Sequence, residues 1–451
     1  MFLYPKKHRD LLLFSASTFL YIFFAFYLER TAFNKLFFLW FSLFGCFYFL
    51  MKSKTISITN LIGLAVLFRI IFLFATPNLS QDFYRFIWDG RMIFEGFNPY
   101  MSLPETYIKQ GIQPIKEAFQ LYNGMGELNG SHYTNYPPIN QLCFLIAALF
   151  ASKSIYSAII VLKIIIISAD IGILYLGTKL LKRMHLPIKN IFWYVLNPFI
   201  IIEMTGNLHF EPVMIFFLVW SLLVLHKKQW IWAAILLACA ISVKLIPLLL
   251  LPLFYQWFVK NDHNWLKGFV KLNLFYTIVL STTLLLFLPF YTSELIENYS
   301  NSLSLWFHDF EFNASFYYIF REIGYLFRGY NEIAILGKMT AILTIIFLII
   351  VTFYRKNNSM IQLTTVFLFG LCFYYFMATT VHPWYLATPL ILSIFTKYRF
   401  PIIWTLVIIL SYETYAKFPW KENLWLVSLE YLILYGFLLF ELRKAYIMKR
   451  L

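Results

Sequence analysis

Charged residues are scarce in this chain. Only 13% of its 451 residues are Asp, Glu, Lys or Arg, and 61% are hydrophobic, whereas soluble domains carry about a quarter charged residues. The apolar residues fall in repeated blocks of about 15–25 residues separated by short charged segments, which is typical of a polytopic α-helical membrane protein. The distribution excludes an ordinary soluble domain.

The chain also lacks the short motifs of nucleotide and hydrolytic chemistry. It contains no P-loop, no glycine-rich dinucleotide fingerprint, no HExxH and no GxSxG. A DxD pair of the kind used by metal-dependent nucleotide-sugar enzymes is missing as well. The short cytoplasmic segments leave no room for a nucleotide-binding domain, which disfavours an ATP-driven pump. We therefore predict neither a cofactor nor a metal site.

Cysteine is rare, and basic residues are dispersed. The four cysteines lie in apolar stretches without CxxC or metal-ligand spacing, so we expect buried thiols and no disulfides. The formal net charge is +15, but the Lys and Arg residues stand in small clusters at the ends of apolar runs. That placement follows the positive-inside rule. It predicts contact with membrane lipids and no nucleic-acid partner.

The basic clusters predict the topology. Lys6, Lys7 and Arg9 place the N-terminus in the cytoplasm, and the first helix is interpreted as a start-transfer segment that is retained. Residues 139–151 are interpreted as a juxtamembrane helix, because a crossing there would put the basic run 179–189 outside. The result is an all-α bundle of about fourteen transmembrane helices, with 190–206 and 212–226 as separate spans and both termini in the cytoplasm. Two long loops, 77–138 and 290–333, then lie on the outer face, the first with juxtamembrane helices.

Charged residues within the predicted spans include Arg69, Lys163, Asp170 and Lys338. Ionisable groups inside a bilayer usually pair with one another or with backbone carbonyls. We expect Lys163 and Asp170, seven residues apart, to pair with each other or with neighbours in the bundle. A proton or ion path is the alternative interpretation.

The most unusual polar stretch is SQDFYRFIWDGRMIFEGFNPY, which closely follows the third apolar run. On a helix, Asp82, Arg85 and Asp89 share one face. A carboxylate beside an arginine at the top of an apolar bundle suits a general base that takes a proton from a hydroxyl group. The alternative is an interfacial amphipathic helix with ordinary salt bridges.

Further candidates lie in the segments predicted to face outward. Asn98 and Tyr136 belong to the turns EGFNPY and HYTNYPPINQ, and Lys244 lies between two short spans, where it either snorkels or holds a phosphate as a point charge. The complete set of candidate substrate-binding residues is Arg85, Asp89, Arg91, Asn98, Tyr136, His209, Glu211, Lys244, Asn313, Arg321 and His382.

The first outer loop resembles that of bacterial polyprenyl-phosphate-sugar-dependent glycosyltransferases of the GT-C fold, and in particular their mannosyltransferase-like group. That group's loop reads approximately D-x-x-R-Y-x-W-D-G-R followed by G-x-N-P-Y. Here Phe86 replaces the usual tyrosine, and Gln81-Asp82 replaces an acidic pair, which leaves Asp82 as the catalytic carboxylate by position. Similar stretches continue in the order YTNYPPINQ, NPFIIIEMTGNLHFEP, ISVKLIPLLLLP, FEFNASFYYIFR and VHPWYLATP, so the resemblance covers roughly residues 60–390.

The resemblance implies an integral membrane hexosyltransferase of the bacterial cytoplasmic membrane, with its active site on the outer face. The donor would be a polyprenyl-phosphate sugar, with mannose the expected hexose, and the acceptor a glycan or lipid-linked hydroxyl. Asp82 would be the base, and Lys244, His209 and Arg321 would be candidates to hold the lipid phosphate. Residues 1–55 would be two additional transmembrane helices, 56–400 the catalytic core and 401–451 C-terminal transmembrane helices.

Two other functions remain open from the sequence. The intramembrane charges Arg69, Lys163 and Asp170 are compatible with a secondary transporter or a lipid flippase for surface-polysaccharide precursors. No convincing internal repeat of the kind that many transporters show is present. A non-enzymatic scaffold of a surface-polysaccharide system is the second alternative.

Overall fold

The computed structural model describes residues 4–262, 264–308 and 310–450, and the described chain is helical nearly throughout. An isolated parallel β-bridge joins Phe312 to Thr380. The α-helices of the described chain are α1 Tyr4–Tyr27, α2 Phe33–Lys52, α3 Ile58–Leu73, α4 Phe83–Phe94, α5 Pro104–Lys109, α6 Ala118–Gly130, α7 Pro138–Ala151, α8 Ile155–Arg183, α9 Phe192–Val195, α10 Glu211–His226, α11 Trp230–Ile241, α12 Trp265–Phe287, α13 Leu295–His308, α14 Phe316–Arg328, α15 Ile333–Tyr354, α16 Met360–Met377, α17 Ala387–Ile394, α18 Phe400–Val407 and α19 Leu424–Arg450.

Tighter and wider helical turns interrupt this series. Four of them lie at or beside the prolines that interrupt apolar runs, where a missing N–H prevents a regular α-helix. The 3₁₀ segments are Ile188–Ile191, Ile246–Phe254, Leu288–Phe290, Pro383–Leu386 and Ile408–Tyr415, and the π-helical segments are Ile200–Gly206 and Gln256–Lys260.

Seven helices of the described chain are long and apolar enough to cross a membrane. They are His8–Tyr27, Phe33–Lys52, Ile155–Arg183, Trp265–Phe290, Ile333–Tyr354, Met360–Met377 and Leu424–Ile447. The structure therefore supports a polytopic α-helical membrane protein, although helix length does not support the expected fourteen spans. Six further apolar helices have only 10–17 residues, and the predicted juxtamembrane helix 139–151 corresponds to one of them, α7.

A sharp bend separates the segments 190–206 and 212–226, which were expected to be separate spans. The π-helical turn Ile200–Gly206 and α10 meet at an angle of 112°, and together they have the length and composition of a broken span or a re-entrant loop. The break contains Asn207 and His209, both buried. The Asn207 side chain donates to the carbonyl of Ile202, within the π-helical turn, and accepts hydrogen bonds from the backbone N–H groups of Asn78 and Leu79, so it satisfies backbone groups at the bend.

Local sequence signals explain several helix starts. Ser57 and Ser154 accept hydrogen bonds from the backbone N–H groups three residues ahead, and Asn264 does the same for α12. Ser359 and Gln362 form a reciprocal capping box at α16. Such caps satisfy N–H groups that have no partner within the helix.

The loop expected at 77–138 is itself structured and contains α4, α5 and α6. Helix α4 is almost entirely buried and packs directly on α7. At Gly90 the approach is so close that a Cβ atom would lie 2.2 Å from the carbonyl oxygen of Phe144. The contact fixes the start of α4, and with it Asp82, relative to the bundle.

The intramembrane charges have structural partners. Arg69 pairs with Asp170 at 2.8 Å between α3 and α8, and Lys163 donates to the carbonyls of Phe72 and Ala75 at 2.7 and 2.6 Å. Lys163 thus caps the C-terminal end of α3, where carbonyls lack helical partners. Lys163 and Asp170 therefore pair with neighbours in the bundle and not with each other. Lys338 is an exposed residue near the start of α15.

Candidate active site

A cavity of about 560 Å³ lies where the loop helices meet the bundle. Its walls contain residues from many parts of the chain, between Arg30 and Glu422. Charged and aromatic side chains line the wall together with small and apolar residues. The wall residues relevant to chemistry are Arg30, Asp82, Asn129, Tyr136, His209, Glu211, Lys244, Glu311, His382, Trp384, Tyr385, Tyr415, Trp420 and Glu422.

Asp82 sits in this wall at the position immediately before α4. Its carboxylate accepts a hydrogen bond from Asn129 Nδ2 at 3.4 Å, and its own N–H donates to Ser80 Oγ at 3.3 Å. Burial raises the pKa of Asp82, while the nearby charges of Lys244 and Arg30 act in the opposite direction. A half-buried carboxyl group with a raised pKa is suited to exchanging a proton with a ligand.

Lys244 and Glu211 form an ion pair in the wall. Glu211 is the first residue of α10, where the helix dipole favours negative charge. The Glu211 side chain is only 2% exposed, whereas that of Lys244 is 22% exposed. The lysine is therefore the partner that a ligand in the cavity can reach, although its charge is largely balanced by Glu211.

Two histidines contact the ring of Trp384. The ring centroids of His209 and His382 lie 3.9 and 4.5 Å from that of Trp384, with nearly parallel planes. His209 Nε2 also lies 3.6 Å from Glu203 Oε2. Burial, reinforced by the charges of Lys244 and Arg30, lowers the pKa of His382 to about 3, so this ring is neutral at physiological pH.

Arg30 is a wall residue that sequence reasoning missed. It lies in the turn between α1 and α2, and its guanidinium carbon is 3.4 Å from the ring centroid of Tyr415 and 5.7 Å from that of Trp420. In the sequence, a lone arginine between two apolar helices resembles an ordinary charged residue at the end of a membrane span. No neighbouring residue indicates a binding site. Glu311 and Glu422 were missed for a similar reason, because acidic residues are common in loops.

The expected partnership of Asp82 with Arg85 does not form. Arg85 instead donates to Asp89 at 2.9 Å and to the carbonyls of Asn129 and His132. Asp89 additionally accepts from Gln141 at 3.0 Å. Both side chains are buried behind the wall and hold α4 against the following segment, and the cations close to Asp82 are Lys244 and Arg30.

Other predicted binding residues also lie outside the cavity wall. Arg91 pairs with Glu117 at 2.9 Å, and Asn98 donates to the Phe290 carbonyl at 2.9 Å. These contacts join segments of the loop to one another and to the end of α12. A role for Arg91 or Asn98 in substrate binding therefore stays a prediction that the geometry does not favour.

Asn313 and Arg321 likewise make contacts behind the wall. Asn313 adopts a positive φ of 46° and donates from its backbone N–H to Glu422 and from its side chain to Glu430. Arg321 pairs with Glu311 and Glu322. Both residues orient acidic neighbours, of which Glu311 and Glu422 line the cavity.

Of the sequence-predicted residues, the structure brings together Asp82, Tyr136, His209, Glu211, Lys244 and His382. No group of three or more His, Cys, Asp or Glu side chains within the described ranges is arranged to hold a metal ion. The fold and this site define a polytopic α-helical membrane protein with an internal cavity that presents a carboxylate, cations and aromatic rings.

The particular family follows from sequence comparison. The family model described as the alpha-(1->6)-mannopyranosyltransferase N-terminal domain matches residues 18–260, more than half of the chain. The chain therefore belongs to this family, and the resemblance to the mannosyltransferase-like group is confirmed. The matched range includes Arg30, Asp82, Glu211 and Lys244, whereas the remaining wall residues from Glu311 onward lie beyond it.

A curated relative agrees with the family match. Alpha-(1->6)-mannopyranosyltransferase A of Corynebacterium glutamicum is 25% identical over 189 residues. The aligned region covers 41% of this chain and 36% of the relative, so the chain spans about a third of the length of that relative.

Proposed function

We propose that the protein is a GT-C-type glycosyltransferase. It moves a hexose, with mannose the favoured sugar, from a polyprenyl-phosphate donor to a hydroxyl of a glycan or lipid-linked acceptor. The observation that carries this proposal is the position of Asp82, which lines an internal cavity with cations close by. The family match supports the choice of mannose.

In this mechanism Asp82 acts as the general base. The acceptor oxygen attacks the anomeric carbon of the donor, and Asp82 takes the proton from the acceptor hydroxyl. The bond between the anomeric carbon and the phosphate oxygen breaks, and its electron pair remains on the phosphate. Attack from the face opposite the leaving group inverts the anomeric configuration. Asn129 donates a hydrogen bond to Asp82 and helps to hold the carboxylate in position.

The apolar part of the cavity suits the polyprenyl chain. Small residues of α15, namely Gly337, Ala341 and Thr344, line the wall together with Met214 and Ile246. Much of the surface of α15 is exposed and apolar, as expected of a helix that faces lipid. A donor anchored in the bilayer would place its tail against this side and its phosphate near the charged wall.

The proposed site faces outward across a bacterial cytoplasmic membrane, with both termini in the cytoplasm. In support, the segments 77–138 and 290–333 both contribute wall residues. The basic clusters predicted to be cytoplasmic, such as 179–189 and 227–228, contribute none within the described chain. A cysteine-accessibility experiment on the two termini and on residue 293, in a cysteine-free background, tests this orientation.

The decisive experiment is a transfer assay on the purified protein. Polyprenyl-phosphate hexoses are offered with a membrane extract as acceptor, and transferred sugar is measured for the wild type and Asp82→Asn. We expect transfer from the mannosyl donor, and loss of turnover in the variant with donor binding retained. Failure with every lipid-linked sugar would overturn the proposal. The proposal invokes no cofactor or metal, and a chelator titration of the same assay tests that part.

The transporter alternative predicts a different result. It depended on the intramembrane charges, and each of Arg69, Lys163 and Asp170 has a buried structural partner. In proteoliposomes a transporter or flippase would move a lipid-linked sugar between leaflets without changing it chemically, and Asp82→Asn would leave that flux intact.

A further inference from the structure

The cations around the cavity differ in how far their charges are already balanced. Lys244 pairs with Glu211, and Arg321, which lies outside the wall, pairs with the wall residue Glu311 and with Glu322. Arg30 forms no ion pair with any residue in the ranges 4–262, 264–308 and 310–450. An unbalanced guanidinium in a partly buried wall favours an anionic ligand, because the low local dielectric strengthens the attraction.

The geometry of Arg30 is suited to holding such a ligand. Its guanidinium lies over the face of Tyr415 at 3.4 Å and near Trp420 at 5.7 Å. A guanidinium that stacks by its face keeps N–H groups at its edge available for the oxygens of a planar or tetrahedral anion. The side chain is half-buried, so a ligand within the cavity can reach it.

Arg30 also lies close to the proposed catalytic centre. Its positive charge acts on both Asp82 and His382, as does that of Lys244. These two cations therefore flank the same region of the cavity. Glu211 already balances Lys244, so of these two cations Arg30 is the one without an ion-pair partner in the described ranges.

We propose that Arg30 binds the phosphate of the polyprenyl-phosphate substrate and stabilises the charge that develops on it during transfer. This inference rests on the proposed function and names a residue that performs one step of it. The donor phosphodiester carries one negative charge, whereas the product phosphomonoester carries close to two at neutral pH. A fixed cation therefore stabilises the leaving group more than the bound donor, and such differential stabilisation accelerates the reaction.

A purely structural role for Arg30 is the competing explanation. The stacking on Tyr415 would then join the α1–α2 turn to the segment after α18, without regard to any ligand. The two roles differ in one measurable property, because only a phosphate-binding residue distinguishes a lipid phosphate from the corresponding uncharged alcohol.

The experiment measures that distinction directly. Undecaprenyl phosphate and undecaprenol are titrated into the full-length protein in nanodiscs of zwitterionic lipid, with tryptophan fluorescence as the signal. The variants are Arg30→Gln and Arg30→Met, which remove the charge, and Arg30→Lys, which keeps it. Lys35→Gln is the matched control, because Lys35 is exposed and lies just after the same turn.

We expect both neutral variants to weaken binding of undecaprenyl phosphate by about tenfold to a hundredfold, the range of a lost charge-assisted hydrogen bond. Binding of undecaprenol should stay within twofold in every variant. Arg30→Lys should recover part of the affinity, since lysine retains the positive charge but lacks the planar set of N–H donors of a guanidinium. Lys35→Gln should match the wild type.

The proposal is overturned if a folded neutral variant distinguishes phosphate from alcohol as well as the wild type does. It is also overturned if both lipids lose affinity equally, because that pattern indicates a structural role. These outcomes differ from failure of the proposed function, in which the wild type transfers no sugar from any lipid-linked donor. Arg30→Met keeps an apolar stem against Tyr415, so it serves if Arg30→Gln does not fold.

Discussion

The guanidinium of Arg69 donates from Nε to Oδ2 of Asp170 at 2.8 Å, across 101 positions of the chain. Arg69 also donates to the carbonyls of Ala65 and Val195. Both charged side chains are almost completely buried. The pair joins α3 to α8, and each charge has its counter-charge within the protein.

We therefore expect Asp170→Asn to destabilise the protein by about 3–5 kcal/mol, because it leaves a buried arginine without its counter-charge. Replacing both residues, as in Arg69→Met with Asp170→Leu, should recover most of that loss. Thermal unfolding in detergent measures both effects. A double variant as unstable as the single one would show that the remaining hydrogen bonds of Arg69 matter more than the ion pair.

Asp82→Asn should have opposite effects on activity and stability. Loss of a general base lowers turnover by about 10²–10⁴-fold. Because burial raises the pKa of Asp82, the ionised form is less stable in the folded protein than in the unfolded chain. The neutral amide should therefore raise the melting temperature at neutral pH. Asp262→Asn is the control, since Asp262 pairs with Lys271 away from the cavity.

A lower melting temperature together with lost turnover in Asp82→Asn would indicate that Asp82 is structural. The same linkage predicts that the stability contributed by protonated Asp82 is greatest below its ordinary pKa of 3.8 and is lost as the pH rises past the raised value. In Asp82→Asn this pH dependence should disappear.

The rate of transfer should fall on the acid side as Asp82 becomes protonated. Its raised pKa places this fall at a higher pH than an ordinary aspartate would. Neutralising Arg30 removes a charge that opposes the rise, so Arg30→Gln should shift the acid limb further upward. The measurement is the dependence of kcat/KM on pH. The prediction is contradicted if the acid side of this profile lies at the same pH in Arg30→Gln as in the wild type.

Glu211→Gln should increase the affinity for a lipid phosphate. The variant releases Lys244 from its counter-charge, so the cavity gains a net positive charge. We expect undecaprenyl phosphate to bind several-fold more tightly, with a lower melting temperature because Lys244 becomes unpaired. Weaker phosphate binding would instead show that Glu211 positions Lys244 for the ligand.

Gly90→Ala should disrupt the contact between α4 and α7. A Cβ atom at Gly90 would overlap the backbone of Phe144. Because the overlapping atoms belong to the backbone, a change of side-chain rotamer cannot relieve the overlap. We expect a loss of about 1–3 kcal/mol or more from overpacking, together with lower activity as Asp82 moves. Gly45→Ala and Gly63→Ala are matched controls, since a Cβ atom at either would have no atom within 4 Å beyond its own residue, its chain neighbours and its own helix backbone.

The sequence predicted the helical class and six of the cavity residues. Long apolar runs bounded by basic residues correspond to long helices. A helix needs such an apolar length to span the bilayer, and basic residues collect at the cytoplasmic ends of spans. Asp82, Lys244 and His382 could be singled out because each is a polar residue at the end of an apolar run. Such a position seldom arises without a packing or chemical reason.

The partners of these residues could not be predicted in the same way. Periodicity placed Arg85 on the face of Asp82, but Asp89 one turn further on and two backbone carbonyls compete for it. Arg30 gave no local signal, since the rings that it contacts are more than 380 positions away. At the bend before α10, Asn207 accepts hydrogen bonds from the distant backbone N–H groups of Asn78 and Leu79, and no local propensity encodes these contacts.

The wall of the cavity is collected from almost the whole length of the chain, from the turn after α1 to Glu422 just before α19. During synthesis, the early helices would enter the bilayer long before Tyr415 and Glu422 have been translated. Catalytic competence would therefore appear in a single late step, when the final segments insert and close the wall. A nascent chain arrested at residue 400 should be membrane-integrated yet inert, and co-expressing the missing remainder as a separate polypeptide should restore transfer.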